Sequence, residues 1–218
     1  MGIELYALQP SVPCRMVRLL IEYLELDVDF KVVDILKGEQ LDPEYMKINP
    51  QHTIPTLVDD GLIITESRAM LMYLGNKYAE NLYPSDSAKR ALVDMRICFD
   101  LGTLYVRFMD AFWPVMYDQI MPDPVKLARL DEGLGYVEDF LKDGFIAGSE
   151  LTIADFSMVA ILTTLKAMEH DMSRFSEIAA YLEKCAGMMK GWEEINQPGA
   201  DTFGQWYKAA LAAAEASA

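Results

Sequence analysis

The order of apolar and polar positions predicts two kinds of organisation along the chain, and the first concerns the first eighty residues. Residues 3–8 predict a short strand. Pro13 fits the first turn of a helix, where its missing N–H is no loss, and the apolar pattern carries that helix to about residue 26. Its polar residues form one narrow stripe, so most of its circumference is expected to pack on a sheet. The stripe consists of Arg15, Arg18, Glu22 and Glu25.

Three more strands and a helix complete this region. Residues 30–35 predict a strand that, with the first strand and the helix between them, forms a βαβ unit with a parallel pair. Residues 56–58 and 62–64 are short strands joined across Asp59-Asp60-Gly61, which is a hairpin signal. Residues 67–79 predict a helix with its apolar positions facing inward.

The second kind of organisation is entirely helical. Strand signals stop, and helical periodicity begins at residue 87, after a linker at residues 81–86. Thr152 and Asp155 have the spacing of a capping box in front of a helix that is apolar nearly all round, so a structural role is expected for Asp155. The predicted fold is an α/β domain over residues 1–82 followed by an all-α domain over residues 83–218.

Composition and charge exclude several function classes. The 218 residues are 52% hydrophobic, and 34 acidic against 19 basic residues leave a net charge of −15. That charge opposes binding to nucleic acid or to anionic membranes, and the longest apolar runs fall short of the roughly 18 residues of a membrane span. Three scattered cysteines favour a reducing, cytoplasmic location. With two histidines and no Cys/His cluster at zinc spacing, no metal is expected.

The first candidate motif is Ser11-Val12-Pro13-Cys14, between the first strand and its helix. It has the outline of a C-x-x-C redox turn in which Ser replaces the leading Cys. A hydroxyl here lies beside a helix N-terminus, where partial positive charge stabilises an anion. The alternative is that Ser11 only starts the helix.

The second motif covers residues 49–58 and ends in a predicted strand. Pro55 can hold a cis bond there, which would leave the backbone of Ile54 free to pair with an extended peptide. His52 is the titratable side chain of this motif, and a plain surface histidine is the alternative.

The third motif is Thr65-Glu66-Ser67-Arg68, at the start of the next helix. The unpaired N–H groups of that helix would bind a carboxylate, and Glu66 could pair with an ammonium group. Ordinary capping by Thr65 is the alternative.

Together the three motifs resemble the cytosolic glutathione transferases, most closely the arthropod delta and epsilon classes. The resemblance covers nearly the whole chain and implies a thioredoxin-like domain followed by a helical bundle, assembled as a homodimer. It also implies glutathione as a co-substrate rather than a bound cofactor. The segments that carry it are Pro13-Cys14-Arg15, Lys37-Gly38-Glu39, residues 47–58, Glu66-Ser67-Arg68-Ala69, Tyr83-Pro84 and residues 99–105.

The resemblance implies that Ser11 is the catalytic serine that donates a hydrogen bond to the glutathione thiolate. Gln40 is a departure, because many relatives carry His at that position. Gln can still donate a hydrogen bond but has no cationic form, which puts glutathione affinity in question. The implied glutathione-binding residues are Gln40, Gln51, His52, Thr53, Ile54, Pro55, Glu66, Ser67 and Arg68.

An apolar electrophile is expected to bind between the domains, against aromatic residues that recur at helical spacing. Ordinary helix core is the alternative for these positions. The expected electrophile-binding residues are Tyr105, Phe108, Phe112, Trp113 and Met116, with Phe203, Trp206 and Tyr207 as further candidates.

The predicted function is conjugation of glutathione to apolar electrophiles, as in detoxification. The sequence does not reveal which electrophile is used, or whether the role is detoxification, peroxide reduction or isomerisation. Two other classes stay open. A thiol–disulfide oxidoreductase would need a nucleophilic cysteine where Ser11 stands, and Cys14 occupies the second, usually buried place. A non-catalytic carrier would bind apolar ligands without conjugating them.

Overall fold

The computed structural model describes residues 2–217, and its sheet has four strands in the order β2-β1-β3-β4. The β1–β2 pair is parallel, whereas β3 pairs antiparallel with both β1 and β4. The βαβ unit and the hairpin predicted from the sequence are therefore confirmed. The strands are β1 (Ile3–Ala7), β2 (Val28–Val32), β3 (Thr56–Asp59) and β4 (Leu62–Ile64).

Nine α-helices complete the described chain, three beside the sheet and six after it. This arrangement confirms the predicted fold class, with helix α4 beginning at the predicted residue. Within residues 2–217, no helix combines the length and the apolar composition that crossing a bilayer requires. The helices are α1 (Val12–Tyr23), α2 (Pro43–Ile48), α3 (Ser67–Tyr78), α4 (Ser87–Phe99), α5 (Tyr105–Asp118), α6 (Pro124–Phe140), α7 (Ile153–Ala167), α8 (Ser176–Met188) and α9 (Gln197–Ser217).

Two predicted boundaries were wrong because local turns intervene. Strand β2 lies at residues 28–32 rather than 30–35, since the backbone leaves the sheet where the Asp34 carboxylate accepts the Leu36 N–H at 3.0 Å. Helix α1 stops at Tyr23 rather than near residue 26. Glu25 has a φ of 54°, a left-handed conformation that ends the helix.

Helix α7 is the centre of the second half of the molecule. Every residue from 153 to 165 is buried, as expected for a helix that is apolar all round. The predicted capping box is present at its start. One Asp155 oxygen accepts the Thr152 N–H at 2.7 Å and the other accepts the Ile146 N–H at 3.0 Å. Asp155 therefore connects the preceding loop to the helix.

The two halves share one hydrophobic core, because α7 packs directly on α1. This contact corrects the sequence interpretation of the polar stripe on α1. Arg15 has 0% exposure and lies between the two helices, where it donates to the Ala160 carbonyl at 2.6 Å. The polar stripe of α1 faces α7 at Arg15, so Arg15 is a buried hydrogen-bond donor rather than a solvated charge.

The buried carboxylate of Asp59 joins β3 to α3. Strand β3 begins within the second motif, and helix α3 begins within the third. The Lys77 ammonium donates to Asp59 at 2.5 Å and the Tyr73 hydroxyl donates at 2.7 Å. Burial of Asp59 opposes ionisation, but these donors outweigh it, and the pKa of Asp59 is lowered below its ordinary value. The ionised form thus stabilises the fold.

Replacing Lys77 with Met is expected to lower the free energy of unfolding at pH 7, because a hydrogen bond to a charged group is lost. A lowered native pKa contributes stability above the unfolded value of about 3.9, and that contribution disappears as the pH falls through the native value. The difference in free energy of unfolding between wild type and Lys77→Met, measured by urea unfolding, should therefore become smaller as the pH falls from 6 to 3. A gap that stays constant over this range would contradict the assignment.

Candidate active site

Ser11 lies at the point where β1 gives way to α1. It occupies the N-cap position with an extended backbone, and its side chain makes no capping hydrogen bond. The Ser11 side chain lies near the Cys14 thiol, one turn along the helix, where it opposes the effect of burial on the thiol's pKa. Because the first N–H groups of a helix have no intrahelical partner, Ser11 stands beside a region of partial positive charge.

A cavity of about 320 Å³ opens between the sheet domain and the helical domain, and Ser11 lies on its wall. The structure thereby brings together residues from both predicted groups. From the glutathione group it places Gln40, His52, Thr53 and Ile54 on the wall, and from the electrophile group Tyr105, Phe108, Trp113, Met116, Phe203 and Trp206. Ile35, Leu36, Met109 and Tyr117 also line it. No sequence motif predicts these four, because their placement depends on how α5 faces the sheet domain.

Two of the aromatic candidates lie behind this wall. Phe112 is 3% exposed and packs edge-on against Tyr207 with ring centroids 5.2 Å apart. It also supports Phe108, whose ring lies 5.4 Å away. The helical spacing puts several aromatic residues on one face of α5, but that face is wider than the cavity, so Phe112, like Tyr207 of α9, belongs to the core beside it.

The cavity wall is aromatic and carries little charge. Tyr105 stacks on Phe108 with centroids 6.0 Å apart, and Trp113 lies 4.1 Å from Tyr117. Phe203 of α9 closes the far side, 6.0 Å from Phe108. None of the described residues that line the cavity is Asp, Glu, Lys or Arg. The chemistry that fits such a wall is binding of an apolar, preferably flat, molecule.

A buried asparagine shapes the loop that carries the second motif. The Asn49 side-chain amide donates to the Thr53 carbonyl at 2.9 Å and to the Thr56 hydroxyl at 3.0 Å. The Tyr45 hydroxyl donates to the same Thr53 carbonyl at 2.5 Å. The Ile54–Pro55 peptide that follows is cis, in agreement with the interpretation of the motif. These bonds hold Ile54 at the edge of the cavity.

The third motif is joined to the helical domain by a buried ion pair that the sequence analysis missed. The Arg68 Nε donates to an Asp100 oxygen at 2.8 Å, and Arg68 Nη1 donates to the Ser67 hydroxyl at 3.2 Å. The Ser157 hydroxyl of α7 donates to the same Asp100 oxygen. The guanidinium also lies over the Tyr105 ring, 4.6 Å from its centroid. The Arg68 side chain therefore connects Ser67 with the wall of the cavity.

Asp100 reaches Arg68 because residues 100–104 form a π-helical turn between α4 and α5. Such a turn inserts a residue into the helical register and often marks a functional site. The one signal in the sequence was an acidic residue within an apolar helical stretch. Periodicity alone does not show that it faces inward.

The other predicted glutathione-binding residues do not line the cavity. Gln51 and Glu66 are exposed, and Ser67 is buried at the start of α3. The predicted residues outside the wall are Gln51, Pro55, Glu66, Ser67 and Arg68. The predicted glutathione-binding residues thus form two groups, one on the cavity wall and one outside it that includes the first turn of α3.

Two other candidates close to Ser11 in the sequence, Cys14 and Tyr6, are poorly suited to the role expected of Ser11. Burial raises the pKa of the Cys14 thiol to about 11, so it is un-ionised near pH 7. The Tyr6 hydroxyl donates to Glu4 at 2.8 Å, and burial together with that carboxylate raises its pKa to about 12. Tyr6 is also absent from the residues that line the cavity.

Comparison of the sequence with family models gives two matches that follow the two halves of the chain. Residues 5–82 match the model described as glutathione S-transferase, N-terminal domain, and residues 106–184 match the model described as glutathione S-transferase, C-terminal domain. Glutathione S-transferase D7 of Anopheles gambiae is 40% identical over 212 residues, which is 95% of this chain and 97% of that protein.

Solved structures agree with the sequence comparison. A delta-class glutathione transferase of Nilaparvata lugens has a TM-score of 0.93 and 41% identity, covering 95% of this chain and 99% of that chain. An epsilon-class glutathione S-transferase of the housefly Musca domestica has a TM-score of 0.89 and 37% identity. The match covers 95% of this chain and 98% of the housefly chain. The likeness thus extends over both halves of the molecule and over both classes.

Replacing Asp100 with Ala is expected to lower the free energy of unfolding by about 3–5 kcal/mol, because it leaves the Arg68 guanidinium buried without its counter-charge. Urea unfolding followed by circular dichroism measures the loss. Asp110→Ala is the matched control, since Asp110 is an exposed acid of α5, and its effect should stay within about 0.5 kcal/mol. Equal losses in the two variants would refute the role of the buried pair.

Proposed function

This chain belongs to the glutathione S-transferase family, and we propose that its reaction takes place in the cavity beside Ser11. The chain is a glutathione transferase. In the proposed reaction the sulfur of the glutathione thiolate attacks an apolar electrophile that lies against the aromatic wall. The observation that carries the proposal is the position of Ser11, at a helix N-terminus and on the wall of a cavity without carboxylates.

Ser11 would act by stabilising the thiolate. A free thiol has a pKa of about 8.5, so only a few per cent is ionised near pH 7. A hydroxyl that donates to the sulfur, together with the α1 N-terminus, favours the anion. The thiolate is the attacking species, and its sulfur forms a bond to carbon. In a substitution the leaving group departs as an anion with the bonding electrons, and in an addition the electron pair of the opened double bond takes up a proton from water. No metal or nucleotide takes part in this scheme.

The remaining groups of glutathione would bind along the line from the cavity to α3. We assign Ser67 and Glu66 to the γ-glutamyl carboxylate and ammonium, and Arg68 to holding Ser67 in place, as its 3.2 Å bond supports. Ile54 would pair its backbone with the cysteinyl unit. The glycyl end would meet a polar group made of Gln40, Gln51, His52 and Thr53, beside Pro55.

Gln40 is the least conventional member of that group. Its side-chain oxygen is buried and has no hydrogen-bond partner among the described residues. Because glutamine is neutral, the glycyl carboxylate would meet a donor but no fixed cation at this position. A modest affinity for glutathione is the expected consequence.

The electrophile would lie between α5 and α9. Tyr105, Phe108, Trp113 and Met116 supply the near wall of the cavity. Phe112 would contribute indirectly, by supporting the Phe108 ring from behind. A wall without fixed charge fits uncharged aromatic or aliphatic electrophiles, as a detoxification enzyme would take.

The alternative classes are less well supported. A disulfide reductase would depend on Cys14, whose burial and raised pKa make it a poor nucleophile. A carrier without chemistry would not need a hydroxyl at a helix N-terminus on the cavity wall. A cytoplasmic location accords with three cysteines that are all free thiols.

Replacing Ser11 with Ala is expected to remove the hydroxyl and leave the helix terminus intact. The pKa of bound glutathione should rise by about one unit, equivalent to about 1.4 kcal/mol, while KM for glutathione changes little. Ultraviolet titration of the bound thiolate and the pH profile of kcat/KM for an aryl halide measure this. Ser87→Ala, which removes an exposed serine from the start of α4, is the control. A profile unchanged in Ser11→Ala would show that another donor activates the thiol.

We also propose that the chain forms a homodimer through α4. Leu92 and Met95 each leave 47% of their surface exposed on this helix, and Leu101 leaves 44% exposed just beyond it. The first two lie one turn apart, so they form one apolar strip. Apolar surface of this kind is typical of an interface between subunits.

Sedimentation equilibrium should accordingly give twice the chain mass of 24.6 kDa. Met95→Glu places a charge in the strip and is expected to shift the population toward the monomer, because charges are depleted at interface cores. Val125→Glu alters an apolar residue that is even more exposed, on α6, and should leave the dimer intact. A wild-type chain that sediments as a monomer would exclude the interface.

A further inference from the structure

A buried guanidinium lies directly behind the loop that carries Ser11. Arg15 has 0% exposure, and its Nη1 donates to the Pro10 carbonyl at 3.2 Å. Its Nη2 donates to the Ala160 carbonyl at 2.6 Å and also to the Thr164 hydroxyl. All three acceptors are neutral, and two of them belong to α7. Asp201 of α9 favours the charged form at longer range, but burying a cation whose hydrogen-bond partners are all neutral is costly, and this calls for a reason beyond stability.

The same side chain supports the start of α9. A Cβ atom at Gly199 would lie 2.5 Å from Arg15 Cδ and 2.7 Å from the Gln9 carbonyl oxygen, so the first turn of α9 rests on both. The Gln9 amide also donates to the Glu194 carbonyl at 3.1 Å, in the π-helical turn that precedes α9. Gln9 and Pro10 are the two residues in front of Ser11.

Helix α9 carries part of the cavity wall. Phe203 and Trp206, about one and two turns beyond Gly199, line the cavity opposite the sheet domain. The Arg15 side chain thus touches both the segment that presents the Ser11 hydroxyl and the helix that presents these two rings. A displacement at Arg15 would change the distance between the thiolate and the electrophile.

We infer that Arg15 is a positioning residue, whose forked guanidinium holds the Ser11 loop in a fixed place between α7 and α9. The inference rests on the proposed conjugation reaction and adds a residue that touches neither substrate. The fork is the essential property, because a guanidinium can donate to two segments from one planar group. A lysine ammonium carries the same charge, but its N–H donors are all on one nitrogen, so it cannot span the two segments in the way that the two ends of a guanidinium do.

Arg15→Lys and Arg15→Met test this directly. Both should raise the pKa of bound glutathione and lower kcat/KM for an aryl halide at pH 6.5 by about 10-fold, in the range expected for a small misplacement of a reacting group. KM for glutathione should stay within about twofold, because the bonds around Ser67 and Asn49 are untouched. Ultraviolet titration of the bound thiolate measures a property that a loss of stability alone would leave unchanged.

The lysine variant separates geometry from charge. A wild-type thiolate pKa in Arg15→Lys, with a raised value in Arg15→Met, would show that the positive charge matters and would overturn the inference. Wild-type values in both variants would overturn it as well.

A pair of glycine variants tests the positioning role of Arg15 even if the Arg15 variants do not fold. Gly199→Ala pushes on Arg15 and on the Gln9 carbonyl, and should raise the pKa of bound glutathione. Gly204→Ala is the matched control in the same helix, because its Cβ would lie 2.4 Å from the Ala167 carbonyl oxygen of α7, far from the Ser11 loop. It should change KM for the electrophile and leave the thiolate pKa as in wild type. The same thiolate shift in both variants, or in neither, would overturn the inference.

The wild-type enzyme separates this inference from the function on which it rests. A wild type that conjugates glutathione while the Arg15 and Gly199 variants keep its thiolate pKa rejects only the positioning role. A wild type that does not conjugate glutathione rejects the proposed reaction itself, and with it any role for Arg15 in that reaction.

Discussion

The packing of α1 against α7 is the constraint on which the site depends. Helix α1 begins at Ser11 and lies on the sheet, whereas α7 is the fully buried centre of the helical domain. Because both helices belong to one continuous core, the two domains do not present separate surfaces. The cavity exists where this shared core ends, between the N-terminus of α1 and the aromatic face of α5.

Buried polar groups then fix the relative position of the elements within that core. Arg68 joins α3 to Asp100, and Ser157 joins Asp100 to α7. Arg15 joins the segment before Ser11 to α7 in the same way. Such groups are costly to bury, but their hydrogen bonds have strict geometry, so they define one arrangement where apolar packing alone would accept several.

The division of polarity across the cavity follows from the same architecture. The sheet domain contributes hydroxyl, amide and backbone groups through the loop that Asn49 organises. The helical domain contributes aromatic rings and methionines through α5 and α9. In the proposed reaction, the polar surface would bind the peptide thiol and the aromatic surface the apolar electrophile, with no fixed charge between them.

Local patterns predicted much of this fold and part of the site. The βαβ unit, the hairpin and the Thr152–Asp155 capping box depend on short-range sequence signals, and all three are present. Arg15 and Asp100 were missed because a charged residue on a helix looks solvated until a second helix covers it. Phe112 shows the converse, since periodicity identifies a helix face but cannot show which rings of that face border an open space.

A crystal structure with a glutathione conjugate bound would test the central claim most directly, which is that thiolate and electrophile meet in the cavity beside Ser11. The predicted result is a conjugate sulfur within hydrogen-bond distance of the Ser11 Oγ, with the apolar group between Tyr105, Phe108 and Trp206. A sulfur held by a different donor, or an apolar group bound outside this cavity, would contradict it.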